Sequence, residues 1–190
     1  MILDELLKKS LKKFYSSEHN RKKLISVLSN DTNISLRSID WFITNYSKKN
    51  NTYYLVYETA NKIPSFNKHN IFRNNMNVYH SYKSQLKAYS KQKFDPFCRR
   101  DRILFELDDE TSVETTIGQL NFFRWAISNL ILDYIEEHKD IIEDDMNTCL
   151  KTIKKHQDKK KGSRKKRQEL SLSATRGLNK NHITVELEFN

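Results

Sequence analysis

The stretch Phe94-Asp95-Pro96-Phe97-Cys98-Arg99-Arg100-Asp101-Arg102 brings together a thiol and three guanidinium groups, a combination that phosphate chemistry uses. A cysteine phosphatase cradles the phosphoryl group between its nucleophile and an arginine at a fixed spacing. Leu104 occupies that place here, and the pattern fails. Arg99, Arg100 and Arg102 still suit a phosphate clamp, because a guanidinium makes two parallel hydrogen bonds to one oxyanion. Salt bridging to Asp95, Asp101 and the acidic residues that follow is the competing use of the same charges.

Glu106, Asp108, Asp109 and Glu110 form an acidic cluster of the kind that holds a divalent cation in nucleases. It has no companion Lys or His at a recognisable spacing, and a polar turn explains it more simply. The six histidines are scattered without His/Cys metal spacing. With three glycines the chain has neither a P-loop nor a dinucleotide fingerprint. No catalytic or metal site is assigned and no cofactor is expected, so the chain reads as a non-enzymatic protein.

Charge is the most informative feature. The formal net charge is +10, and residues 151–180 alone hold twelve Lys and Arg against Asp158 and Glu169. The rest of the chain is therefore neutral. Within it, residues 62–102 carry ten basic groups against Asp95 and Asp101, and residues 106–145 carry twelve acidic groups against Arg124 and Lys139. These two blocks either face solvent or face each other. Lys159, Lys160, Lys161, Arg164, Lys165, Lys166 and Arg167 are different, because no acid interrupts them. Such a run repels itself, stays extended and draws phosphates by releasing condensed counterions. A nuclear-import signal and a solubilising loop are the rival readings.

The block 62–102 also interleaves its cations with Phe66, Phe72, Tyr79, Tyr82, Tyr89, Phe94 and Phe97. Single-stranded nucleic acid is held by that mixture, with bases stacked on rings and phosphates drawn to cations. Core packing is the alternative for the rings. Lys83, Lys87, Tyr89, Lys91 and Lys93, with Tyr82, are the positions where a second contact surface is expected.

The elements that must position these groups follow from periodicity. Ile2, Leu3, Leu6, Leu7, Leu11 and Phe14 recur at helical spacing, and Leu24, Ile25 and Leu28 mark a shorter helix. Ser35 caps a third, with Ile39, Phe42, Ile43 and Tyr46 inward and Trp41 off that stripe, as a second packing face in preference to an exposed contact. Residues 52–58 and 77–82 read as strands, as does Ile103-Leu104-Phe105-Glu106-Leu107, with residues 61–75 as a loop and 84–93 as a short helix. Thr116-Ile117-Gly118-Gln119 is a capping box that opens a helix with Leu120, Phe123, Ile127, Leu130, Ile131 and Tyr134 inward. A further amphipathic run follows through Ile141, Ile142, Cys149, Leu150 and Ile153. Ile183, Val185, Leu187 and Phe189 then alternate with Thr184, Glu186 and Glu188 as in a half-buried strand, which needs a partner to be stable.

The expected fold is α+β and mostly helical, with a small antiparallel or mixed sheet of about four strands and a long basic loop before the last strand. Residues 1–150 form the folded body, 151–180 a basic flexible segment, and 181–190 a terminal strand pairing back onto the body. Cys98 and Cys149 have no paired spacing, Met1-Ile2-Leu3-Asp4-Glu5 lacks the base a signal peptide needs, and no run is long and apolar enough to span a bilayer. A reducing intracellular compartment, without membrane contact, is the expectation.

Five stretches also resemble, in order and content, a protein of nucleocytoplasmic large DNA viruses of the mimivirus and phycodnavirus kind. They are Ser35-Leu36-Arg37-Ser38-Ile39-Asp40-Trp41-Phe42, Tyr82-Lys83-Ser84-Gln85-Leu86-Lys87-Ala88-Tyr89-Ser90-Lys91, residues 94–100, residues 118–126 and Lys166-Arg167-Gln168-Glu169-Leu170-Ser171. The resemblance covers most of the chain and fits its 24 Lys and 18 Asn. It brings no catalytic residues. It implies a setting in an infected host cell, in the virus factory, the nucleus or the virion. The expected function is sequence-independent contact with nucleic acid, DNA in that setting, by an accessory or virion-associated protein with viral proteins as further partners. A structural or adaptor protein assembling through its terminal strand or charged faces is the alternative, and a metal-dependent nuclease built on Asp108 and Asp109 ranks below both.

Overall fold

In the computed structural model, which describes residues 2–29, 32–90, 92–108 and 111–158, the helix opened at Thr116 lies at the centre. Thr116 is extended, and its hydroxyl accepts a hydrogen bond from the Gln119 backbone N–H at 3.0 Å. One of the four orphan donors of that helix start is thereby satisfied. The helix, Ile117–Ser128, buries Leu120, Phe122, Phe123, Trp125, Ala126 and Ile127. An element apolar on nearly every side belongs in the interior. Helices Ile2–Tyr15 (α1), Glu18–Leu28 (α2), Val78–Tyr89 (α5) and Ile131–Glu137 (α7) pack on this helix, α6, while Leu36–Trp41 (α3), Ser47–Lys49 (α4) and Lys139–Asp158 (α8) pack beyond them. A single π turn, Phe42–Tyr46, joins α3 to α4.

Two small antiparallel sheets complete the body. Strands Tyr53–Glu58 (β1), Pro64–Ser65 (β2) and Ile71–Asn77 (β3) lie in the order β2-β1-β3. A bulge falls between Val56 and Tyr57, so that Val56 faces Asn74 while Tyr57 faces Phe72. Strands Ile103–Glu106 (β4) and Ser112–Thr115 (β5) form a separate hairpin, with Phe105 opposite Val113 and both buried.

The fold is thus α+β and mostly helical with small antiparallel sheets, as expected. Its strands are distributed differently. Residues 77–82 do not extend as a strand: the Asn77 side chain accepts from the His80 N–H at 3.1 Å and starts α5. Val78, Tyr82, Leu86 and Tyr89 then follow at helical spacing. Residues 61–75 are not all loop, since β2 and most of β3 lie there. Asn-rich β3 has little intrinsic strand preference and is held by its ladder with β1. The helix expected to run unbroken to Tyr134 is interrupted at Leu130, a left-handed residue with φ 55°, whose side chain is nonetheless buried with Ile131. Gln119 does not close the capping box back onto Thr116; its Nε2 donates to the Pro96 carbonyl at 2.8 Å and its Oε1 accepts from Thr115 Oγ1 at 2.7 Å.

Other assignments agree. Ser35 accepts from the Ser38 N–H at 3.0 Å and caps α3. Ile39, Phe42 and Ile43 are buried, and Trp41 packs inward while its Nε1 donates to Asp145 at 3.0 Å. Leu6 is an exception on α1, standing exposed although it lies on the apolar stripe. The basic segment beyond Asp158 and the terminal alternating segment, residues 181–190, lie outside the described residues.

Candidate nucleic-acid interface

Helix α5 presents Lys83 and Lys87 on one face, because its other face is anchored. Val78 is buried, Tyr82 packs against Phe94 and Trp125 with ring centres 6.0 and 6.2 Å away, and Tyr89 stacks on Phe94 at 5.9 Å. Ser81 Oγ accepts from Trp125 Nε1 at 2.9 Å, tying α5 to α6. Burial pushes the Tyr82 hydroxyl up to about 12, keeping it a neutral phenol at physiological pH. With that side fixed, Lys83 and Lys87, four residues apart, must stand on the solvent side of one helix face. Both are exposed, and neither has an acidic partner among the described residues.

The structure adds a residue that sequence reading missed. Helix α4 packs beside α5, and Lys48 Nζ sits 5.7 Å from the centre of the Tyr79 ring. Lys48 is exposed, and its separation of more than thirty residues from Lys83 hid the neighbourhood. The four-residue step from Tyr79 to Lys83 places it in the same row.

The other candidates are distributed differently. Arg99 is engaged: its Nε and Nη2 donate to the two Asp95 oxygens at 2.8 and 2.7 Å, and its guanidinium lies 4.7 Å from the Phe97 ring centre. Hydrogen bonding to Asp95 holds the Arg99 pKa above its usual value. Arg102 reaches across the hairpin to Glu114 at 3.1 Å. Arg100 is exposed without an acidic partner among the described residues, and Lys93 is half-buried. The stretch 93–97 is clamped by α6, through Asn121 Nδ2 on the Lys93 carbonyl at 2.9 Å and Gln119 on Pro96. The three arginines therefore do not form a common clamp. Most of the interleaved rings are structural as well: Phe94 and Phe97 are buried, Tyr82 and Tyr89 face Phe94, and Phe66 packs on Tyr54. Phe72 stands exposed. Lys91, Lys159, Lys160, Lys161, Arg164, Lys165, Lys166 and Arg167 lie outside the described residues.

The opposed charge blocks largely avoid each other. Acidic residues of the block 106–145 pair mainly with the N-terminal helices: Glu106 with Lys12 at 2.9 Å, Asp108 with Arg21 at 3.2 Å, Asp133 with Lys23, and Asp145 with Lys49 at 2.5 Å. Arg102 to Glu114 joins the basic and acidic blocks. The lysines of α5 are thus left uncompensated. Glu106 and Asp108 are neutralised where a metal site would need them free, and among the described residues no three His, Cys, Asp or Glu side chains converge on a point. Asp109 and Glu110 lie outside the described residues. Burial pushes the Cys98 thiol above its ordinary value, away from a reactive thiolate. No helix among the described residues is long and apolar enough to cross a membrane.

The amino-acid sequence is similar to that of a viral protein. No solved structure matches the chain. It is 42% identical over 168 residues to a protein of Acanthamoeba polyphaga mimivirus described as "Uncharacterized protein L507", covering 85% of this chain and 59% of that relative. The chain therefore spans about three-fifths of the length of the curated relative it matches. The resemblance to proteins of large DNA viruses is borne out. Residues 3–187 match a family of unknown function, DUF7197, and the chain belongs to that family.

Proposed function

We propose that this protein is a non-enzymatic nucleic-acid-binding accessory or virion-associated protein of a large DNA virus, gripping the phosphate backbone without reading sequence. One observation carries the reading: the whole net charge of +10 is assignable to residues 151–180, within which seven cations of residues 159–167 meet no acid. Cations at that density gain affinity chiefly from counterion release, which every sequence offers equally. The exposed Lys83 and Lys87 of α5, with Lys48 beside Tyr79, support a second contact on the folded body. Amide, guanidinium and ammonium groups are the chemistry available; acid–base or metal-assisted hydrolysis is not part of the proposal.

Titration of the full chain against DNA and RNA duplexes and single strands at several salt concentrations tests it. Affinity falls steeply with salt and varies little with sequence. Deleting residues 159–167 reduces the slope of log affinity against log salt by about six, following roughly 0.9 per phosphate neutralised. Absence of binding at low salt, or an unchanged slope in the deletion, overturns the proposal.

A further inference from the structure

The outer face of the three-stranded sheet is the main apolar surface that the described body leaves uncovered. Tyr53 is 66% exposed, Leu55 42% and Phe72 58%. Tyr53, Leu55 and Tyr57 alternate along β1 on one side, and Tyr57 meets Phe72 edge-on at 6.0 Å, so Phe72 belongs to the same face. The opposite face is packed: Val56 and Met76 are buried, and Tyr54 stacks on Tyr134 at 5.0 Å. Three large exposed apolar side chains on one face of the sheet are more than the scattered exposure that any surface shows.

The same sheet ends in an open edge. In the order β2-β1-β3, β3 pairs only with β1 among the described residues, leaving one side of a seven-residue strand without a ladder. The other edge is partly occupied, because β2 covers the end of β1 and the chain leaving β2 keeps to that side, where Phe66 packs against Tyr54 at 5.4 Å. A long unpaired edge beside an apolar face is a template that proteins cover.

We infer that the open edge of β3, with the apolar face beside it, receives residues 183–189 of the same chain as a fourth strand. Ile183, Val185, Leu187 and Phe189 put four apolar side chains on one face of that segment, with Thr184, Glu186 and Glu188 on the other. Seven residues of alternating pattern match the seven of β3. Laid along β3 with the apolar side on the face of Phe72, they become its cross-strand neighbours, and their main chain supplies the missing ladder. Reach is no obstacle: the 24 residues from Lys159 to His182 span up to about 80 Å when extended. The family match runs through residue 187 and so includes Ile183, Val185 and Leu187 of the segment. This docking does not rest on the nucleic-acid reading. If both hold, the cations of residues 159–180 form a loop held at both ends, presented beside the sheet.

Hydrogen exchange on the full chain, with its mass measured by light scattering across a concentration series, tests the docking. In the native chain, alternate amides of Ile71–Asn77 that β1 does not hold exchange at least tenfold more slowly than in Val185→Glu/Leu187→Glu, which places acid on the apolar face. A second variant, Thr184→Pro/Val185→Pro, gives the same acceleration, because one of two successive N–H groups must face the edge. Protected α6 amides in all three proteins show that the body is intact. Equally fast β3 exchange in native and variant chains overturns the inference. So does β3 protection that appears only together with a dimeric mass, which assigns the edge to a second copy.

Discussion

Arg99 closes a two-bond pair on Asp95, four residues before it, and the two ends of that pair live in different surroundings. The Asp95 side chain is 9% exposed and that of Arg99 48%. Asp95 also accepts from the Phe97 N–H at 3.3 Å, and its own N–H donates to the Gly118 carbonyl at 3.2 Å. Removing Arg99 strands a buried carboxylate, whereas removing the Asp95 charge leaves a guanidinium that water can reach. Arg99→Ala is therefore expected to cost about 2 to 3 kcal/mol and Asp95→Asn about 1 to 2, both discounted for the solvent around Arg99. Urea denaturation at neutral pH measures the difference; a larger loss for Asp95→Asn counts against this asymmetry.

Gly118 illustrates how tightly α6 backs onto the segment it clamps. A Cβ there would lie 3.0 Å from the Gln92 carbonyl oxygen and 3.4 Å from backbone atoms of Lys93 and Phe94. These are main-chain atoms held by Asn121 and Gln119, so they yield little. Alanine at this position gains about 1 kcal/mol of helix preference, but overpacking of about 1 to 3 kcal/mol outweighs it. Gly118→Ala should lower the thermal midpoint by a few degrees. A rise in midpoint would show that the 92–94 backbone moves freely.

Asp145 links stability to pH. Burial opposes its ionisation, but hydrogen bonds from Lys49 and Trp41 outweigh that and hold its carboxyl below the ordinary value. With the folded pKa depressed, the contribution is complete above the unfolded value near 4 and lost as pH falls through the folded one. Asp145→Asn, which keeps an acceptor for Trp41 but loses the charge, should cost about 1 kcal/mol at pH 7. The gap to the native chain should close as pH falls below about 4. A gap that persists undiminished to pH 2 would contradict this origin.

The lysines of α5 give the nucleic-acid proposal a test on the folded body. Lys83→Gln/Lys87→Gln should reduce the salt slope for DNA binding by about two, with stability unchanged within about 0.5 kcal/mol, since both side chains are exposed. Arg99→Lys should change affinity less than twofold, because that cation already serves Asp95. Fluorescence anisotropy over a salt series reads both. An unaffected slope in the lysine variant restricts the interface to residues beyond α8.

The sequence by itself was enough for the features that depend on a few neighbouring residues. The caps at Ser35 and Thr116 are local hydrogen bonds between residues three apart, and both form. The inward set of α6 and the buried Phe105 follow from periods of 3.6 and 2, which any water-facing element must obey. The position of the net charge is a matter of counting. Asn77 caps α5 by a bond of the same local kind, but the aromatic and β-branched run that follows it reads as a strand.

Tertiary structure decided what distant partners decide. β3 is a strand because β1 supplies its ladder, and Leu130 takes a left-handed backbone in the bend between α6 and α7 with its side chain buried. The roles of the cations were undetermined in the same way. Arg99 and Lys83 both read as phosphate contacts, and only the fold puts a buried carboxylate beside one and solvent beside the other. Charge is a local property of a residue. Whether that charge is available depends on which carboxylates the fold brings within about 4 Å, and here Glu106, Asp108, Asp133 and Asp145 are taken by lysines and an arginine of the N-terminal helices.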